Sequence, residues 1–275
     1  MRNVVALTAA ALLAVVAGCD SVSTAPRVTP AAPRRDTPAP LSTPASPVSA
    51  DFSRTCYRVH LGYSVKGRPI VLHVFGTGSD RVLIFGAIHG DEPASYRLVQ
   101  ELMKYLADHP DELSGRTVAI LPAANPDGLA AGRRTNARGV DINRNFPARN
   151  WRRQRQHGPR PASEPETQAL MRAIRVIRPN RVLSVHSIRN GRHCVNYDGP
   201  ARELASLLST RNGYPLRAVM GYPTPGSFGS WAGREQHIPT ITLELPRGID
   251  PRRAWQANRA ALLAFLRGQR TPAVR

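Results

Sequence analysis

Arg81-Val82-Leu83-Ile84-Phe85-Gly86-Ala87-Ile88-His89-Gly90-Asp91-Glu92 sets an unbroken apolar run against a sudden cluster of polar side chains. Arg81 to Ala87 has the length and the continuous apolar character of a strand buried on both faces. The turn that follows holds an imidazole and a carboxylate in a His-x-x-Glu spacing, close enough to converge on one ion. Beyond it Leu98, Leu102, Met103 and Leu106 recur at helical spacing, which predicts a helix over about 94–107. Strand, polar turn and helix make the repeating unit of an α/β sheet, and in such sheets sites form at the carboxyl ends of strands.

Working outward, Ile70 to Phe75 and Thr117 to Pro122 read as further strands. From Asn125 to Pro161 there is little periodicity and much Gly, Asn, Pro and Arg, which predicts a long functional loop region. A helix resumes near Glu164, with Ser163 as its expected cap and Leu170, Ile174 and Ile177 as its apolar stripe, and ends before Pro179. Arg181 to His186 and Thr240 to Leu245 read as strands, and Ala201 to Arg211 and Arg252 to Leu266 as helices. The expected fold class is α/β, a mixed, mostly parallel central sheet flanked by helices on both faces.

Three potential metal ligands sit at strand ends: His89, Glu92 and, nearly a hundred residues on, His186. Two histidines and a glutamate leave the fourth position of a tetrahedral zinc open, which marks a hydrolytic site rather than a structural one. Zinc lowers the pKa of a bound water from 15.7 to about 7. Glu244 interrupts the apolar strand Ile241-Thr242-Leu243-Glu244-Leu245, and a buried carboxylate requires either a salt bridge or a chemical role.

Five ordered blocks now carry a resemblance: His-x-x-Glu, Asn125-Pro126-Asp127-Gly128, Gly139 to Phe146 (Gly-Val-Asp-Ile-Asn-Arg-Asn-Phe), His186-Ser187 and Thr242-Leu243-Glu244. Over roughly Tyr63 to Leu266 the chain resembles the zinc carboxypeptidases of the funnelin type. The resemblance implies one zinc ion held by His89, Glu92 and His186, with Glu244 as general base. It implies that Asn143 and Arg144 grip the substrate's terminal carboxylate and that Asp141 orients His89, a type of contact whose loss costs about 10- to 100-fold in metal affinity or activity. Arg134, with Arg133 as the alternative, is implied as the oxyanion arginine, and Tyr222 as either a substrate cap or a packed tyrosine.

The segments Gly226 to Gly233 and Ile238 to Pro246 look especially like the murein peptide amidase branch, which hydrolyses the bond between γ-D-glutamate and meso-diaminopimelate in peptidoglycan peptides. On that resemblance Gly229 lines the pocket for the leaving residue and leaves room for diaminopimelate. The rival readings are a metallocarboxypeptidase for L-peptides, a deacylase of the succinylglutamate or aspartate type, and a catalytically silent wall-peptide-binding lipoprotein.

Met1 to Cys19 reads as an export signal, with one basic residue, an apolar run from Val4 to Val16 and a closing Ala17-Gly18-Cys19. It resembles the lipobox of bacterial lipoproteins, which implies lipidation of Cys19, a membrane anchor and a place in the cell envelope or periplasm. Residues 20–50 are Pro, Ala, Ser and Thr with few large apolar side chains and predict a disordered tether, leaving 51–270 as the catalytic domain. Cys56 and Cys194 are either a disulfide pair or two free thiols. The formal charge of +19 is almost all arginine. Export argues against a nucleic-acid partner, so composition bias is the first reading, with acidic substrates or an anionic membrane surface second.

Overall fold

The computed structural model describes residues 56–189 and 191–268, so the expected signal with Cys19, and the tether at 20–50, lie outside the described residues. The chain runs β1 (Cys56–Tyr63), β2 (Pro69–Phe75), β3 (Asp80–Phe85), α1 (Pro93–Asp108), β4 (Arg116–Leu121), α2 (Pro126–Ala131), α3 (Pro165–Ile177), β5 (Arg181–Ile188), β6 (Cys194–Asp198), α4 (Arg202–Asn212), β7 (Leu216–Arg217), β8 (Thr240–Pro246) and α5 (Pro251–Arg267). A π-helical turn, Gly229–Glu235, precedes β8.

The strands form one sheet in the order β1-β2-β4-β3-β5-β8-β6-β7. The central ladders β4-β3, β3-β5 and β5-β8 are parallel, while β1-β2, β2-β4 and β8-β6 are antiparallel, so the sheet is mixed as expected. Alternation along each strand divides the interior into two cores. Val82, Ile84, Leu183, Val185, Leu243 and Leu245 pack with α1, α4 and α5. Leu83, Phe85, Val182, Ala119 and Leu121 face the other way, onto α3 and an aromatic group of Phe146, Phe228 and Trp231. Leu98, Leu102 and Leu106 of α1 are at most 1% exposed, and each such side chain contributes about 1.5–3 kcal/mol through burial.

Several expectations are corrected. β1 and β6 are strands that hydrophobic patterning does not single out, and the stretch from Asn125 to Pro161 contains α2, capped by Asn125, whose Oδ1 accepts from Gly128 N at 2.9 Å. Ser163 does not cap α3. Glu164 occupies that position, Pro165 opens the helix, and Ser163 Oγ donates to Glu164 Oε1 at 2.8 Å. Cys56 and Cys194 are both free thiols, on β1 and β6, with five strands between them in the sheet. Neighbouring strands lie about 4.8 Å apart, so no disulfide can span that separation.

Candidate metal centre and active-site cavity

The chain leaves β3 through a reversal that needs unusual backbone. Ala87 adopts a left-handed conformation (φ 47°), held by its N–H donating to Ser95 Oγ at 3.0 Å. The next turn passes hard against α2: a Cβ on Gly90 would lie 1.8 Å from the carbonyl carbon of Gly128. This path brings His89 and Glu92 under the ends of β3 and β5, where both are 3% exposed. Arg247, just past β8, ties the same turn down by donating to the Asp91 carbonyl at 2.9 Å.

Glu92 is the centre of the group. Its Oε1 is 2.9 Å from His89 Nδ1 and its Oε2 is 3.1 Å from His186 Nδ1, while Ser187 N–H donates to Oε2 at 2.9 Å. His89 Nε2 is 3.1 Å from Asp141 Oδ1, a contact that would keep a proton on Nε2 when Nδ1 gives its lone pair to a metal. One donor atom from each of His89, Glu92 and His186 lies within 4.8 Å of the others. Two imidazole nitrogens and a carboxylate around one buried point are the donor set zinc takes with a position left open, so the residues fit the ion.

Electrostatics agree with that fit. Burial works against a proton on His89, yet the Glu92 and Asp141 carboxylates outweigh it and raise its pKa to about 9. Burial alone would raise Glu92 and Asp141, but His89, joined at Glu92 by His186 and at Asp141 by Arg134, holds both well below the usual carboxylate range. The pocket is therefore built for positive charge at its centre.

Asp141 does more than orient His89. It accepts from Asn143 N–H at 2.9 Å and from Arg134 Nε at 3.0 Å. Arg134 thereby lines the cavity, and its Nη1 lies 3.7 Å from Glu92 Oε1, whereas Arg133 is absent from the cavity wall. Asn143 Oδ1 accepts from Phe228 N–H at 2.9 Å, which fixes the amide and leaves its NH2 group for a ligand. Arg144 Nη1 donates to the Asn143 backbone carbonyl at 2.7 Å, which fixes the guanidinium beside Asn143 on the cavity wall.

Glu244 sits at the end of β8 beside His186, 7% exposed, and burial pushes its carboxyl above the ordinary value, with Glu92 adding to the effect. A carboxyl raised in this way is suited to take and return a proton. Tyr222 lines the mouth and is 44% exposed. The cavity measures ≈ 780 Å³ and is lined by seven arginines against three carboxylates, Glu92, Asp198 and Glu244.

Gly229 lines the same cavity, but the room its missing side chain leaves is already used. A Cβ there would lie 2.0 Å from Asp198 Oδ2. Asp198 and Arg247 are contributors that sequence reasoning missed, as is the part played by the Ser187 N–H. Alternation from Cys194 to Asp198 is the signal that would have placed the aspartate on the Glu244 face.

The family described as Zinc carboxypeptidase matches residues 46–199. Murein peptide amidase A of Escherichia coli K12 is 35% identical over 208 residues, covering 68% of this chain and 80% of that protein. The protein of the same name from Vibrio campbellii is 35% identical over 203 residues, covering 67% and 77%. The crystal structure of murein-tripeptide amidase from Escherichia coli O157 matches with a TM-score of 0.63 at 32% identity, covering 77% of this chain and 92% of that one. Carboxypeptidase A from Helicoverpa armigera shares the fold, with a TM-score of 0.65 at 20% identity, covering 79% of this chain and 70% of that one.

Proposed function

Since the chain belongs to the zinc carboxypeptidase family, we propose that it hydrolyses the amide bond between γ-D-glutamate and meso-diaminopimelate in peptidoglycan peptides, at the cell envelope, anchored through a lipidated Cys19. The observation that carries this reading is the 35% identity to murein peptide amidase A joined to a cavity lined by seven arginines. A tripeptide of this kind brings several carboxylates, and an arginine-lined cavity both attracts and orients them.

His89, Glu92 and His186 would hold the zinc. When bound there, the ion supplies Lewis acidity that polarises the scissile carbonyl and makes water a stronger acid. The substrate's terminal carboxylate is received by Arg144 and the NH2 group of Asn143. Holding the reacting groups in line in this way removes several kcal/mol from the barrier. Glu244 accepts a proton from the attacking water and returns it to the departing amine. Arg134, steered by Asp141, donates to the carbonyl oxygen as negative charge develops, an interaction worth about 2.7–4 kcal/mol in comparable sites.

The test is incubation of the zinc-loaded full-length protein with L-Ala-γ-D-Glu-meso-diaminopimelate beside an all-L peptide, with released amine followed by mass spectrometry. Release of diaminopimelate is expected; cleavage of the all-L peptide alone would reject the amidase reading in favour of a general carboxypeptidase. For the envelope reading, Cys19→Ala should move the protein from the membrane fraction to the soluble one.

A further inference from the structure

Asp198 ends β6 opposite Thr240, while Cys194, four residues earlier, lies opposite Glu244. Val195 belongs to the α1, α4 and α5 core, so Cys194, Asn196 and Asp198 share the other face of the sheet with Glu244 and His186. Four residues span about 14 Å along a strand, which sets Asp198 well inward of the metal ligands along the cavity floor. Asn196, Thr242 and Ser184 line the floor between them. Ser184 Oγ is buried and has no hydrogen-bond partner among the described residues, which is what a wall awaiting a polar ligand looks like.

The aspartate is built in with care. Gly229 and Gly233, four apart on the π-helical turn, both give way to it: a Cβ on Gly233 would lie 2.5 Å from Asp198 Cβ, and one on Gly229 2.0 Å from Oδ2. Oδ1 accepts from Arg234 Nε at 2.6 Å, whereas Oδ2 has no hydrogen bond among the described residues. Arg234 is itself 55% exposed, and an ion pair of that exposure contributes at most about 1 kcal/mol, too little to explain two glycines set aside for it. Apart from Glu92 and Glu244, Asp198 is the one carboxylate on a wall of arginines. An acid in that setting answers a cation in the ligand, and the guanidinium beside it answers an anion next to that cation.

We propose that Asp198 and Arg234 read the zwitterionic far end of the leaving residue, Asp198 Oδ2 accepting from its ammonium group and Arg234 donating to the neighbouring carboxylate. The inference rests on the amidase reading and refines it. Diaminopimelate carries both groups at the end of its side chain; lysine carries the ammonium alone and 2-aminopimelate the carboxylate alone.

The experiment is steady-state kinetics of the zinc-loaded full-length protein on three tripeptides, L-Ala-γ-D-Glu followed by meso-diaminopimelate, L-lysine or L-2-aminopimelate. Wild type should prefer diaminopimelate over each single-charge analogue by about 10- to 100-fold in kcat/KM, the worth of a charge-assisted hydrogen bond. Asp198→Asn should erase the preference over aminopimelate, and Arg234→Gln the preference over lysine, with zinc content unchanged. Arg234 is exposed, so its variant tests the idea even if Asp198→Asn folds poorly. Cleavage by wild type with both preferences intact in the variants overturns this assignment alone. Failure of wild type to cleave any of the three overturns the amidase reading and this inference with it.

Discussion

His186 on β5 and Glu244 on β8 are register partners in a parallel ladder and share one face of the sheet. A candidate metal ligand and the proposed proton carrier are thus set side by side by backbone hydrogen bonds, at the inter-strand spacing of about 4.8 Å, rather than by a loop. Leu243 and Leu245 flank Glu244 and point into the opposite core, so a one-residue slip of β8 would bury the carboxylate among leucines. The strand's hydrophobic pattern therefore guards the position of Glu244.

Glu244→Gln keeps the size of the side chain and removes its ability to accept a proton. It should bind zinc with unchanged stoichiometry and lower kcat by about 10²- to 10⁴-fold. Metal analysis and initial rates on the same preparation decide it. Activity surviving in zinc-replete protein would mean that another group acts as base.

The pH profile should carry the same residue's signature. Burial raises the Glu244 carboxyl above its ordinary value in the metal-free protein, bound zinc draws it back down, and only the ionised form accepts a proton, so kcat/KM should fall on the acid side of this carboxyl's titration. The limb is measured on wild-type protein held at constant zinc occupancy. The same acid limb in the residual activity of Glu244→Gln would contradict the assignment.

Zinc and protons compete for His89. Its pKa in the metal-free protein is raised to about 9, so below that pH a proton must leave before the ion binds. For one such proton the apparent zinc affinity should drop about tenfold per pH unit as pH falls from 8 to 6. Chelator competition at the two values reads this directly, and a flat affinity would show that His89 is unprotonated before metal arrives. The sign for folding is the reverse: the raised value stabilises metal-free protein fully below the unfolded value near 6.5, and that contribution fades as pH rises through 9.

The metal ligands are legible in the chain because each stands where an apolar run stops, and strand ends converge in an α/β sheet whatever the intervening sequence. Asp198 is not, because its meaning depends on Gly229 and Gly233, some thirty residues away and met only across the fold. β1 escapes because it pairs only with β2, at the sheet edge, and of its eight residues only Leu61 is buried, so no apolar run announces it. The choice between a Cys56–Cys194 pair and two free thiols stays open in the sequence because redox logic carries no information about strand order.

Gly90→Ala tests how tightly the ligand turn is seated. The added Cβ would lie 1.8 Å from the Gly128 carbonyl carbon and 2.2 Å from its oxygen, both backbone atoms that cannot rotate away. Either the turn or α2 must shift. A loss of about 1–3 kcal/mol in stability is expected, together with weaker zinc binding because His89 is the adjacent residue. Denaturant unfolding in the presence of chelator isolates the first effect, and wild-type stability in the variant would show that the two segments separate at no cost.

The two cysteines give a contrasting prediction about what does not hold the molecule together. Removing a native disulfide from a small secreted domain costs about 2–5 kcal/mol, so a bridged protein would lose several degrees of Tm in reductant. Here Cys56 and Cys194 are both free with five strands between them, and Tm should be the same with and without dithiothreitol. Their reactivity should differ as well. Burial, reinforced by the Glu244 carboxylate across the β8–β6 ladder, pushes the Cys194 thiol up to about 11, which leaves little thiolate at neutral pH. Alkylation followed by peptide mass mapping should label Cys56 long before Cys194, and bound zinc should leave that order unchanged; prompt labelling of Cys194 in folded protein would mean that the β6 end of the cavity floor opens.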